Sequence, residues 1–158
     1  MMNKITLTRY MIHQEQLLVV SQPCEIVTIL GSCVGVVLLD LVASIAGLNH
    51  YVLPLWDGVG LPSPKYGNVS MEKLIEEMQR NGAKLEQIQA KVFGGSSMNI
   101  AERFGVGERN IKIALDILDD YKIPIIAKDV SGNCGRKLIL NTKTGEVKVF
   151  YSGGGCCR

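Results

Sequence analysis

Apolar residues fall along the chain into short runs rich in Val, Ile and Leu, separated by breaks marked with glycine, asparagine or charge. Runs of this kind bounded by turn formers read as strands. They predict strands at Glu25–Leu30, Val34–Leu39, Ser44–Asn49, Gln89–Phe93, Ile123–Lys128, Leu138–Asn141 and Val147–Tyr151. Two other stretches repeat with helical period. The first has Ser70 as N-cap, Glu72 in its first turn, Leu74, Ile75 and Met78 on one face, and Gly82 as its stop. The second runs from about Glu108 to Tyr121, with Ile111, Ala114, Leu115 and Leu118 on one face, and ends before Pro124. Both are amphipathic, so each is expected to cover one face of a sheet. Asn141 to Glu146 reads as a hairpin turn in which Gly145 supplies a positive φ. Trp56–Asn68, punctuated by Gly58, Gly60, Pro62, Pro64 and Gly67, is the one long irregular stretch, a kind of loop that tends to be functional or mobile. With no repeat and no linker, residues 1–158 predict a single α/β domain with helices packed on sheet. Residues 152–158, Ser-Gly-Gly-Gly-Cys-Cys-Arg, read as a flexible tail.

Composition narrows the function classes. The 158 residues are 47% hydrophobic and 20% charged, which excludes a disordered adaptor. Seventeen Lys and Arg against fifteen Asp and Glu leave a net charge of +2, scattered rather than clustered. Nothing resembles the basic stripe of a nucleic-acid binder. The longest uncharged apolar stretch, Ile26–Leu39, is interrupted by Thr28, Ser32 and two glycines and falls short of the ~20 residues of a membrane span. The first ten residues lack a signal-peptide pattern, so a cytoplasmic protein is expected. Five cysteines cannot all pair within one chain, no Cys-x-x-Cys spacing occurs, and only His13 and His50 are present, so no metal site is expected. No cofactor is expected either. Gly105 to Asn110 begins like a dinucleotide fingerprint but has Asn110 at its third glycine, and Gly132 to Lys137 lacks Walker spacing.

Candidate chemistry centres on Gly31-Ser32-Cys33 and on His50. If the runs after Cys33 and before His50 form an antiparallel hairpin whose loop is centred between Leu41 and Val42, Cys33 lies directly opposite His50 on one face. A loop with an odd number of residues would send His50 to the other face. Gly31 and Ser32 let the chain turn just before Cys33, placing the thiol at a strand end. Against this stand two plain readings: a cysteine beside a Val/Leu run is commonly a small buried hydrophobe, and a lone histidine near such a run is commonly structural. On these residues alone the catalytic and structural readings stand side by side. His13, among Gln14, Glu15 and Gln16, is expected to be exposed. Gly94-Gly95-Ser96-Ser97 either presents backbone amides to a ligand or makes a tight turn out of its strand.

At several separate places the sequence resembles the CheD family, the chemoreceptor glutamine deamidases of bacterial and archaeal chemotaxis. The matching stretches are Leu30-Gly31-Ser32-Cys33-Val34, Gly47 to Pro54, Tyr66 to Glu72, Lys91 to Gly95, Gly107-Glu108-Arg109-Asn110, Asp129 to Lys137 and Thr144 to Val147, in family order from about Ile26 to Val149. The resemblance implies a cysteine hydrolase of protein-bound glutamine with Cys33 as nucleophile, His50 as base and Thr28 as the third residue. It also implies a layered α/β sandwich similar to the catalytic domain of the cytotoxic necrotizing factor toxins. The expected mechanism starts from a Cys33 thiolate stabilised by a His50 imidazolium, with backbone amides around Gly31, Ser32 and Cys33 facing the oxyanion. The implied substrate is the helical cytoplasmic region of a chemoreceptor, and a glutamyl methyl ester is a chemically reasonable second substrate. Two alternatives remain: a non-catalytic adaptor that binds the CheC phosphatase, and another Cys-His amidase or a transglutaminase.

Overall fold

The structure, a computed structural model, describes residues 6–97 and 105–153. Its elements in chain order are β1 (Arg9–Met11), β2 (Leu17–Val20), β3 (Glu25–Leu30), β4 (Val34–Asp40), β5 (Ile45–Asn49), α1 (Gly67–Arg80), a 3-10 turn (Leu85–Gln87), β6 (Gln89–Gly94), α2 (Val106–Asp120), β7 (Ile125–Val130), β8 (Gly135–Asn141) and β9 (Val147–Ser152). The strands form two sheets, one of four strands in the order β1-β3-β8-β9 and one of five in the order β2-β5-β4-β6-β7. Both helices lie on the five-stranded sheet, α1 against β5 and β2, α2 against β6 and β4. The α/β expectation therefore holds, as sheet, sheet and helices in three layers.

Two apolar layers follow from this stacking, and β4 belongs to both. Val34, Val36 and Leu38 face the helices, packed with Leu74, Ile75, Ala114 and Leu118. Val37 and Leu39 face the four-stranded sheet, packed with Ile26, Leu138 and Leu140. A strand buried on both faces has no polar side to show, which is why this run is almost continuously apolar. Each fully buried Val or Leu there contributes about 1.5–3 kcal/mol.

Every strand expected from the pattern is present, with boundary shifts that have local causes. β7 begins at Ile125 because Pro124 has no N–H to give, while its carbonyl accepts the Ala90 N–H at 2.9 Å. β9 extends to Ser152, which pairs with Gly135, so the first residue of the expected tail belongs to the sheet; residues 154–158 lie outside the described residues. β1 and β2 are additions. β1 is exposed throughout and β2 half-buried throughout, so neither shows the alternation that marks a strand.

Helix α1 begins three residues before the expected cap. Tyr66 occupies the N-cap position without a side-chain bond, and Ser70 lies inside the first turn. The orphan N–H groups of Gly67 and Asn68 are satisfied instead by the carbonyls of Leu53 (2.7 Å) and Pro54 (3.2 Å). This docking needs Gly67: a Cβ there would sit 2.6 Å from Ile113 Cγ2, 2.7 Å from Tyr51 Cε2 and 3.0 Å from the Pro54 oxygen. Helix α2 starts two residues early, with Gly105 as its N-cap. The long loop is pinned at its stem, where Leu53 bridges to Tyr66 and Trp56 N–H reaches Asn68 Oδ1 at 3.0 Å, and it exposes Val59 and Leu61. Gly67→Ala is expected to destabilise the fold by about 1–3 kcal/mol through overpacking, read as a lower urea midpoint with an unchanged slope.

Candidate functional site

The β4–β5 hairpin turns through Leu41 to Ser44, where Ser44 has φ +58°. Its loop is centred one position later than expected, so Val37 pairs with Leu48 and Asp40 with Ile45. Continued through the bridge between Val34 and Tyr51, this register sets Gly35, not Cys33, across from His50. The expected direct opposition of Cys33 and His50 is thus corrected to a diagonal one. Because the displacement is by two positions, the facing is preserved. Cys33 joins the apolar layer between the sheets, and His50 turns into that same layer. Both are buried, at 6% and 3% exposure.

Thr28, fully buried on β3, reaches across from the four-stranded sheet, and its Oγ1 lies 2.7 Å from His50 Nδ1. The same hydroxyl donates to the Ile12 carbonyl at 2.9 Å. A threonine hydroxyl has a single hydrogen. With that hydrogen committed to Ile12, the contact to His50 must run the other way: Nδ1–H donates and Oγ1 accepts. The neutral imidazole is therefore protonated at Nδ1 and carries its lone pair on Nε2. Nε2 is buried and has no hydrogen-bond partner. The His50 backbone is held by Gln16, whose carbonyl takes its N–H at 3.0 Å, and by Glu15, whose N–H reaches its carbonyl at 2.9 Å.

The Cys33 turn is held from the side of β6 and α2. Gly95 N–H donates to the Cys33 carbonyl at 2.9 Å and Ser96 N–H to the Gly31 carbonyl at 3.0 Å. Ser97 N–H donates to Gly132 at 2.8 Å. The Gly95 and Ser96 amides thus hold the Cys33 turn and the Ser97 amide is taken by Gly132, so these three are not offered to a ligand. A Cβ on Gly94 would lie 2.3 Å from the Cys33 oxygen, and Gly94 has φ +102°. A Cβ on Gly107, at the start of α2, would lie 2.6 Å from the Ser96 oxygen and 2.7 Å from the Gly95 oxygen. The N–H of Ser32, by contrast, has no acceptor among the described residues. Sequence reasoning missed Asn110, whose Nδ2 donates to the carbonyls of Ser32 (3.0 Å) and Val52 (2.9 Å). The available signal was a polar residue in helical step with the buried Ala114 and Leu118.

Electrostatics correct the expected thiolate–imidazolium ground state. Burial pushes the Cys33 thiol above its ordinary 9.0, with its own backbone N–H pulling weakly the other way. Burial lowers His50 to about 4, and the neighbouring His13, exposed as expected, adds to the effect. Both shifts favour the uncharged forms and run against the expected ion pair. A cavity of about 380 Å³ opens beside His50, lined by Met11, Ile12, His13, Gln14, Ile29 and His50. Among the described residues no cluster of acidic, His and Cys side chains could hold a metal ion, and no helix is long and apolar enough to cross a membrane.

A family model described as CheD chemotactic sensory transduction matches residues 57–150, more than half of the chain. The chain belongs to the CheD family. The matched stretch begins downstream of Thr28, Cys33 and His50, so the family assignment does not lean on the site geometry. Relatives agree with it. A protein of Sulfurimonas denitrificans named probable chemoreceptor glutamine deamidase CheD is 47% identical over 143 residues, covering 89% of this chain and 92% of the relative. One of Trichlorobacter lovleyi with the same name is 46% identical over 129 residues, 80% of each chain. The Thermotoga maritima protein named chemoreceptor glutamine deamidase CheD is 37% identical over 138 residues, 87% of this chain and 88% of the relative.

Two pH dependences follow for this CheD-family chain. In the unfolded chain His50 takes up a proton near pH 6.5, whereas the folded protein resists until about pH 4. Stability should therefore fall by about 3 kcal/mol as pH drops from 6.5 to 4, and chemical denaturation of His50→Gln should lack that part of the loss. Separately, iodoacetamide modification of Cys33 without substrate should accelerate about tenfold per pH unit up to pH 9; a preformed ion pair would give a plateau near pH 6.

Proposed function

We propose that this chain deamidates glutamine side chains on chemoreceptors, with Cys33 as nucleophile, His50 as general base and Thr28 as the residue that orients the imidazole. The observation that carries this reading is the committed hydrogen of Thr28, which leaves His50 Nε2 unprotonated, unpartnered and in the same layer as the Cys33 thiol. The relatives named as chemoreceptor glutamine deamidases supply the substrate class.

With both groups neutral at rest, the thiol proton moves to Nε2 as Sγ attacks the carboxamide carbon. The carbonyl oxygen becomes an oxyanion, for which the Ser32 and Cys33 N–H groups are the candidate donors. His50 then protonates the amide nitrogen, the C–N bond breaks and ammonia leaves a thioester on Cys33. Water attacks the thioester, its proton passes to His50, and the S–C bond breaks to release glutamate and regenerate the thiol. A glutamyl methyl ester offers the same carbonyl with methanol as leaving group, so methylesterase activity belongs to this proposal. The substrate segment is the helical cytoplasmic part of the receptor, which places the enzyme in the cytoplasm. The sheet-sheet-helix layering is compatible with the catalytic domain of the cytotoxic necrotizing factor toxins.

The test is peptide mass spectrometry of a purified receptor fragment incubated with the protein. Conversion of specific glutamines to glutamate is expected, abolished in Cys33→Ala and slowed about a hundredfold in Thr28→Val, which leaves the imidazole tautomer unfixed. Conversion that persists in Cys33→Ala would sink the mechanism. An intact receptor with retained binding to the CheC phosphatase would point to an adaptor instead, and amine-linked products formed with added primary amine would point to a transglutaminase.

A further inference from the structure

Asn110 lies in the first turns of α2 and is fully buried. A carboxamide so placed is costly unless hydrogen bonded, so its partners define its purpose. Both hydrogens of Nδ2 are used, one on the Ser32 carbonyl at 3.0 Å and one on the Val52 carbonyl at 2.9 Å. The Asn110 main-chain carbonyl accepts the hydroxyl of Tyr51. Ser32 directly precedes Cys33, and Tyr51 and Val52 directly follow His50. One residue thus joins the segment that carries the thiol to the segment that carries the imidazole.

The need for such a joint comes from the strands themselves. The last paired position of the β4–β5 hairpin is Val34 with Tyr51. Between that bridge and Val37–Leu48 the ladder is interrupted, because Asn49 Oδ1 takes the Val36 N–H at 2.7 Å. Beyond the bridge, the carbonyls of Ser32 and Val52 converge on one point with no backbone donor between them. Two converging acceptors repel each other unless a group with two hydrogens stands between them, and a primary carboxamide is such a group. The opposite Oδ1 is buried without a partner, so the side chain is tied in through its nitrogen alone.

We infer that Asn110 is a positioning residue for the Cys33–His50 pair, its carboxamide fixing the spacing of the two segments and hence the approach of Sγ to Nε2. This rests on the proposed roles of Cys33 and His50. Asn110→Asp keeps the shape but removes the paired donors, while Asn110→Gln keeps both on a longer arm. With a receptor fragment as substrate, Asn110→Asp is expected to lower kcat by about 10–100-fold with KM within about twofold of wild type, and Asn110→Gln to recover part of the loss. Assays are run where circular dichroism shows each variant folded. Should Asn110→Asp not fold, Asn110→Ser, with one hydroxyl donor, is read in the same way. A purely structural role would lower the melting temperature and leave kcat of the folded variant unchanged, and that result overturns the inference. So does a raised KM with unchanged kcat. Wild-type activity that survives Cys33→Ala overturns the underlying mechanism; loss in Cys33→Ala with a fully active folded Asn110→Asp overturns the role of Asn110 alone.

Discussion

The Thr28 hydroxyl has one hydrogen, and the direction in which it points governs the rest of the site. It points to the Ile12 carbonyl, so a neutral His50 must hold its proton on Nδ1 and leave the lone pair on Nε2, the atom proposed as the base. Three parts of the chain have to meet for this to happen. The short, exposed strand β1 runs parallel to β3, and Ile12 N–H continues the pairing onto the Val27 carbonyl at 2.9 Å. That contact sets the Ile12 carbonyl beside Thr28. β3 then carries Thr28 into the layer between the sheets, and β5 delivers His50 from the opposite sheet. An edge strand that buries almost nothing thus owes its place to the orientation it imposes on a neighbouring hydroxyl.

Burial sets the reactivity of the pair. Burial raises the Cys33 thiol and lowers the His50 imidazole to about 4, so both shifts favour the uncharged forms. In the proposed mechanism the charged state is reached as carbon–sulfur bond formation and donors to the oxyanion contribute.

The strands and helices were legible because burial on one or two faces leaves a periodic trace. The facing of Cys33 and His50 was legible for the same reason: a displacement of two positions preserves which side each residue faces, and the loop from Leu41 to Ser44 changed only the pairing. The displacement itself was not legible. It is set by the four-residue loop in which Ser44 adopts a left-handed conformation, and that loop does not alter the apolar pattern. Thr28 entered through family resemblance alone, since a contact between sheets has no fixed sequence spacing. The burial that favours the uncharged forms of Cys33 and His50 was not legible, because depth of burial is a property of the assembled layers.

The turn from Gly31 to Cys33 has little geometry of its own, since a Cβ on Gly31 would meet nothing within 4 Å. Its shape is imposed from outside. Gly94 presses against the Cys33 carbonyl where no side chain fits, Gly95 donates its N–H to that carbonyl, Gly107 lets the start of α2 close onto Gly95 and Ser96, and Asn110 draws the carbonyl of Ser32 toward that of Val52. From the other side Thr28 fixes the imidazole. The Cys33 and His50 segments are therefore tied together through α2, while the imidazole is oriented from the four-stranded sheet. A change in the packing of α2 acts on the spacing of the two segments, and a change in β3 acts on the orientation of the imidazole. That division explains how a pair carried on one hairpin can answer to residues from nearly the whole length of the chain.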